Sequence, residues 1–385
     1  MSYDFVMEKE IETQTVIAAR QSLRSPRGLH LAGILAVAYL LVIAYASLQP
    51  FRGWWTPPSE IRHFLSAPWP RYITLEDVLV NIGAYVPLGF LFARSFMRRI
   101  GIPRAVLAAG LLAGVTSIAM EAGQMFMPAR IASNVDVMTN AIGGLIGALA
   151  APLFSPTRLL GIRLARLRRA WFVYGASADV GLVLLCVWLA TQLHPTAQLF
   201  GTGNLRATLE LPVWLIHTPP LLLAAEAAVA GFNVLGIGLV VIALTRARRP
   251  RFGALTAVLA AGFAAKALAA LAVAKSAGPL AWVTPGVVAG VVVAAVLLYG
   301  LARLPRRAQW ALASLSFAAA IVAINVAPDN PYQTVPSQLL AGPTHFLSFS
   351  AIVRALSELW PFLAVAYTAA VVYEHPADEG TGRGA

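Results

Sequence analysis

MEAGQMFMPARIASNVDVMTNAIGGLIG, residues 120–147, holds the end of one apolar run, a short polar break and the start of another. The flanking runs, residues 104–126 and 136–154, are each about 20 residues long, enough to cross the hydrocarbon core of a bilayer as a helix. Glu121, Gln124, Arg130, Asp136 and Asn140 lie inside or just beside those runs. Polar groups in hydrocarbon are costly unless something satisfies them. These residues therefore either tie helices together or bind something.

Working outward, the same apolar length recurs. Ten segments qualify: residues 29–48, 75–95, 104–126, 136–154, 172–193, 221–244, 254–274, 281–302, 309–327 and 357–373. Composition agrees, with 58% of the 385 residues hydrophobic, 12% charged and a mean hydropathy of +0.72. A soluble domain carries about 25% charged residues. The predicted fold class is all-α, a polytopic transmembrane bundle of about ten spanning helices with both termini cytoplasmic. Placed that way, the cytoplasmic segments hold twenty-one Lys and Arg, the outer segments seven, and Lys266 alone is intramembrane. Every second loop is basic, as the positive-inside rule expects. The net charge of +12 thus reads as membrane topology, and no nucleic-acid partner is expected. The one cysteine, Cys186, rules out an intrachain disulfide. Ala44-Tyr45-Ala46 has the look of a signal-peptidase site, but the acidic residues before the run favour an uncleaved first helix. Residues 209–217 are too short to span and are expected at the interface.

The chain divides into a cytoplasmic tail (1–28), a four-helix membrane domain (29–155), a basic cytoplasmic linker (156–171), a six-helix membrane domain (172–373) and a mobile tail (374–385). The linker reads as an orientation signal or, alternatively, as an amphipathic segment on the inner leaflet. The four letters HFLS occur at His63–Ser66 and again at His345–Ser348, a repeat short enough for chance. The spacings Gly110/Gly114 and Gly143/Gly147 suit close helix–helix approach.

Three successive helices of the first domain carry polar residues at one depth. The second span begins outside with Glu76, Asp77 and Asn81, the third ends outside with Glu121 and Gln124, the loop brings Arg130, and the fourth begins with Asp136 and Asn140. Asp77/Asn81 and Asp136/Asn140 are four residues apart and Glu121/Gln124 three, so each pair shares a helix face. Part of this has an ordinary reading: carboxylates suit helix N-termini, and amides bond between helices. Glu121 resists it, because it sits near a helix C-terminus, where the dipole opposes an anion. It calls for a proton, Arg130 or a bound cation. A packing network and a ligand site both remain open for the cluster, with Glu121 and Arg130 leaning towards function.

Residues 77–90 (DVLVNIGAYVPLGF) and 121–147 resemble the VanZ-like family of bacterial integral membrane proteins. The pattern falls on Asp77, Asn81, Pro87, Gly89, Glu121, Gln124, Arg130, Asp136, Asn140 and Gly143, with SLQPF at Ser47–Phe51 also similar. The resemblance covers about residues 29–155 and implies a bacterial envelope protein whose family is linked to resistance to the glycopeptide teicoplanin. The six later helices depart from the family's short form.

Elsewhere, Lys266 and Glu226 come to similar depth on neighbouring spans and form a candidate intramembrane pair. Asp179 is expected to cap locally or meet an inner-loop arginine, Asn325 and Glu358 to be solvated at outer helix ends, and His345 to be incidental. No Walker A loop, HExxH, GxSxG or zinc-spaced Cys/His set occurs, so no cofactor and no metal is expected. Three functions follow. The first is an envelope protein whose outward polar cluster, Asp77, Asn81, Glu121, Gln124, Arg130, Asp136 and Asn140, binds a lipid headgroup or a lipid-linked cell-wall intermediate, with membrane lipids as partners. The alternatives are a secondary transporter and a membrane enzyme acting on lipid headgroups, the last lacking a recognisable nucleophile.

Overall fold

In the computed structural model each of the ten apolar segments is a helix. The described residues are 27–48, 54–56, 63–69, 73, 75–128, 130–155, 157–193, 200, 202–206, 212, 218–273, 280, 282–328 and 346–374. Besides a single turn at His63–Ser66, the α-helices among the described residues are α1 (Arg27–Leu48), α2 (Leu75–Ile100), α3 (Ile102–Gln124), α4 (Asn134–Ala150), α5 (Leu159–Trp171), α6 (Ala176–Thr191), α7 (Pro219–Leu244), α8 (Arg251–Val273), α9 (Pro285–Leu301), α10 (Arg306–Val326) and α11 (Phe346–Glu374). Seven are long and apolar enough to cross a membrane: α2, α3, α4 with its 3-10 extension to Phe154, α7, α8, α10 and α11. Apolar stretches in α1, α6 and α9 are shorter, 10–17 residues. Among the described residues the single β-bridge joins Phe172 to Thr245. The chain is an all-α, multi-pass membrane protein. The interfacial reading of 209–217 apart from Pro212, the second HFLS, His345 and the chain ends lie outside the described residues.

Backbone contacts divide the chain into two units, Met1–Ile162 and Arg163–Ala385. In the first, α2 and α3 meet at a sharp corner. Arg98 and Arg99 close the last turn of α2, Gly101 adopts φ 79°, and Pro103 opens α3, where a missing N–H costs nothing. The face of α4 that carries Gly143 and Gly147 lies directly on α2. A Cβ added at 147 would come within 1.9 Å of the Val86 carbonyl oxygen, and one at 143 within 2.2 Å of that of Ile82. Gly114, by contrast, faces Ala141 at an ordinary 3.7 Å, so the second glycine pair makes no comparable approach. Beside Pro87, which interrupts the α2 ladder, the Tyr39 hydroxyl donates to Ala84 O at 2.9 Å.

The second unit is built on α7, whose residues from Gly236 to Leu244 are buried without a break. It packs on α9 and α10, α10 on α11, and α11 on α6. Phe317 and Trp360 meet edge to face at 5.3 Å in this core. A non-helical stretch, residues 202–205, is threaded between helices. Gly203 N donates to Ser357 O, Leu205 N to Asn325 Oδ1, Asn325 Nδ2 back to Gly203 O, and the Thr202 hydroxyl to Asn233 Oδ1. Irregular backbone is tolerated at membrane depth only where protein or a water-filled cavity satisfies it.

This stretch corrects the reading of Asn325. Its amide is not solvated but clamps the 203–205 backbone through both ends. Glu358 is corrected as well: α11 begins at Phe346, so Glu358 lies three turns inside the helix, buried and bonded to Arg354 at 2.7 Å. The two residues form an i,i+4 ion pair within the helix. Asp179 meets an inner-loop arginine, Arg168, at 2.7 Å.

Candidate polar site of the first unit

α2, α3 and α4 bring the polar residues of the first unit together. Asp77, Asn81, Glu121, Gln124, Asp136 and Asn140 are all buried, Glu121 to 3% exposure. Each helix contributes an i,i+4 pair to this interface: Asn81 and Tyr85 from α2, Ser117 and Glu121 from α3, Asp136 and Asn140 from α4. The result is two stacked polar layers.

In the layer nearer the loop, Asn81 Nδ2 donates to Asp136 Oδ1 at 2.9 Å, joining α2 to α4. Glu121 Oε2 accepts from Ser133 N at 2.9 Å. Ser133 is the N-cap of α4, its own hydroxyl accepting from Val135 N. The carboxylate that α3's dipole disfavours is therefore placed at the positive end of α4, which also accounts for its burial. Ser133, not Asp136, supplies the side-chain cap; Asp136 stands in the first turn, where its charge still suits the dipole.

In the deeper layer, Asn140 Nδ2 donates to Ser117 Oγ at 2.9 Å, joining α4 to α3. Asn140 Oδ1 is buried there with no hydrogen-bond partner among the described residues, and the buried Tyr85 hydroxyl stands beside Ser117.

Gln124 and Arg130 act on α1. Its last carbonyls have no intrahelical partners. Gln124 Nε2 donates to Ser47 O and Arg130 Nη2 to Ala46 O, each at 3.2 Å. Arg130 differs from the rest in being only half-buried. Burial lowers its pKa from the usual guanidinium value, and the negative charge of Glu121 opposes that drop.

The loop carrying Arg130 is held and flanked by interface-type side chains. Trp55 donates through N to Phe126 O and through Nε1 to Met125 O. Trp54, Trp55 and Ile131 are exposed, Ile131 to 71%. Trp at such a level is the usual membrane-interface anchor. Sequence reasoning did not single out Tyr85, Ser117 or Ser133. The first two lie one turn from Asn81 and Glu121 on the same faces, a signal that extending the i,i+4 rule would have caught.

Lys266 and Glu226 belong to the second unit. Lys266 is 1% exposed on α8, one turn from Gly262, which packs on Trp188 of α6 and on Phe200. Glu226, on α7, accepts from the Thr284 hydroxyl at 2.5 Å. Among the described residues no group of three or more His, Cys, Asp or Glu is placed to hold a metal ion.

Residues 30–155, a third of the chain, match the sequence model of a family described as VanZ/LLP1. No curated protein and no solved structure matches the chain significantly. The segment 30–155, which holds most of α1 and all of α2 to α4, is thus similar in sequence to the VanZ/LLP1 family.

Proposed function

We propose that the VanZ-like domain binds an anionic headgroup, that of a membrane lipid or of a lipid-linked cell-wall intermediate, at the outer face of a bacterial plasma membrane. The observation that carries this reading is the division of labour within the cluster. The amides, Asp136, and Ser133 with Glu121 are engaged in helix-to-helix bonds and form a frame. Arg130 is the half-buried cation at its edge, on a loop bordered by exposed Trp54, Trp55 and Ile131. A guanidinium suits phosphate and carboxylate geometry, and a loop with interface anchors stands at headgroup level. The negative charge of Glu121 favours the charged form of Arg130.

The test uses the full chain in nanodiscs and a polyprenyl phosphate as probe, read by tryptophan fluorescence. Arg130→Ala is expected to weaken binding about tenfold or more, equivalent to about 1.4 kcal/mol. Stability is expected to fall by no more than about 1 kcal/mol, for the lost bond to Ala46 O, and the affinity of Arg130→Lys to be intermediate. Unchanged affinity, or a loss of stability that accounts for the loss of binding, contradicts the reading. The family's glycopeptide link comes to this chain as a further part of the proposal, checked by whether expression raises teicoplanin tolerance in a manner that Arg130→Ala abolishes.

A second reading, secondary transport, is favoured by one observation in the other unit. The non-helical 202–205 stretch reaches Asn233, in the middle of α7, through Thr202. Transporter sites are commonly built where helices are interrupted near the bilayer midplane. Proton-coupled uptake in vesicles that is lost in Lys266→Met supports it; uptake insensitive to pH and potential contradicts it.

A further inference from the structure

The basic run before α6 is a helix, and it does not stand alone. Trp171, Phe172 and Val173, at the end of α5, are knitted to the α7–α8 connection. Phe172 bridges Thr245, Val173 N donates to Leu244 O, Arg246 N to Trp171 O, and Arg249 Nε to Ala170 O at 2.9 Å. Arg249 also lies over the Trp171 ring and Arg246 over that of Tyr174. Two basic stretches far apart in sequence, 163–169 and 246–249, thereby become one surface of the second unit.

The surface has two kinds of side chain. Arg163, Arg166, Arg169 and Arg248 are exposed. Arg168 is consumed structurally, pairing with Asp179 and donating to Val173 O. Asp179 is the one acid between residues 158 and 209. Leu160, Leu164 and Leu167 follow one another along α5 at intervals of four and three, and all three are exposed, Leu167 to 55%. An amphipathic helix with arginines bordering a leucine stripe lies in a membrane interface, its stripe in the acyl boundary and its cations among headgroups. The charge pattern assigns this end of the bundle to the cytoplasm. Orientation alone requires arginines in the loop; it requires neither a leucine stripe nor a bridge that fixes the loop to a second basic segment.

We propose that α5 and the 246–249 connection form a binding site for anionic phospholipid of the inner leaflet, with the phosphodiester held by Arg163, Arg166, Arg169 and Arg248, and Leu164 and Leu167 set among the acyl chains. The occupant follows from charge complementarity: a run of cations with its single acid already paired, beside an exposed apolar stripe, at the level where such lipids present their phosphates.

The test is a thermal-shift titration of the purified full chain in a mild non-ionic detergent with phosphatidylglycerol, against phosphatidylcholine. Phosphatidylglycerol is expected to stabilise at low lipid ratios and phosphatidylcholine not to. The effect is expected to fall as salt rises. Arg163→Gln/Arg166→Gln/Arg169→Gln is expected to weaken the apparent affinity at least fivefold, and Leu164→Ser/Leu167→Ser to weaken it in the same direction. Arg98→Gln/Arg99→Gln, at the inner end of α2, retains it. Equal stabilisation by both lipids overturns the proposal, as does an equal loss in the α2 control, which would make the effect one of bulk charge. A shift produced by a DNA oligonucleotide but not by phosphatidylglycerol assigns the surface to nucleic acid and overturns it too. Should the triple variant fail to fold, Arg166→Gln alone is read in the same titration, and an unchanged affinity there counts against the site.

Discussion

Glu121 poses the sharpest problem in the chain, because its own helix ends where an anion is least welcome. The solution lies in a neighbour: Ser133, at the start of α4, donates its backbone N–H to the carboxylate. The cost of burial is met by a second helix's dipole, and the acid becomes a joint between α3 and α4. Asn81 and Asp136 form a comparable joint between α2 and α4. Asn81→Ala and Asp136→Ala should each lower thermal stability, and the double variant should lose less than the sum. The expected coupling is about 0.6–1.7 kcal/mol, from a double-mutant cycle of unfolding in detergent. Strict additivity would mean that the pair does not interact. At this scale the sequence was informative where spacing on one helix decided the matter, as for Asp136 and Asn140. It was silent where the partner was a backbone group on another helix, since Ser133 N and the carbonyls of Ala46 and Ser47 have no side-chain signature.

Between helices, the same logic separates two glycine pairs that look alike in sequence. Gly147 lies where a Cβ would overlap the Val86 carbonyl, backbone that cannot swing aside, whereas Gly114 has room. Gly147→Ala is therefore expected to destabilise by about 1–3 kcal/mol or more, the range for overpacking. Gly114→Ala is expected to be neutral or slightly stabilising, since it adds helix propensity without a clash. Parallel thermal melts check the contrast, and equal effects would contradict it. Helix positions were readable because an apolar run of spanning length has few other solutions. Boundaries were less so. α11 starts eleven residues before the apolar run that marks it, and Arg354, in the added segment, lowers the hydropathy there without breaking the helix. The non-helical 202–205 stretch, buried at Thr202 and Gly203, gave no periodic signal at all. Its place is fixed by Asn325, Ser357 and Asn233, which are distant in sequence.

For the whole molecule, the alternation of basic loops predicts that the arginine-rich connections face the cytoplasm and that the polar cluster of residues 30–155 faces outward. The headgroup reading and the inner-leaflet reading both depend on that polarity. Cysteine accessibility in intact cells measures it directly. In a Cys186→Ser background, which removes the chain's one cysteine, Ile131→Cys places a thiol on the exposed loop beside Arg130 and Leu167→Cys one on α5. A membrane-impermeant maleimide is expected to label residue 131 without permeabilisation and residue 167 only after it. Labelling of residue 131 only once the membrane is opened would put Arg130 on the cytoplasmic side and contradict the account.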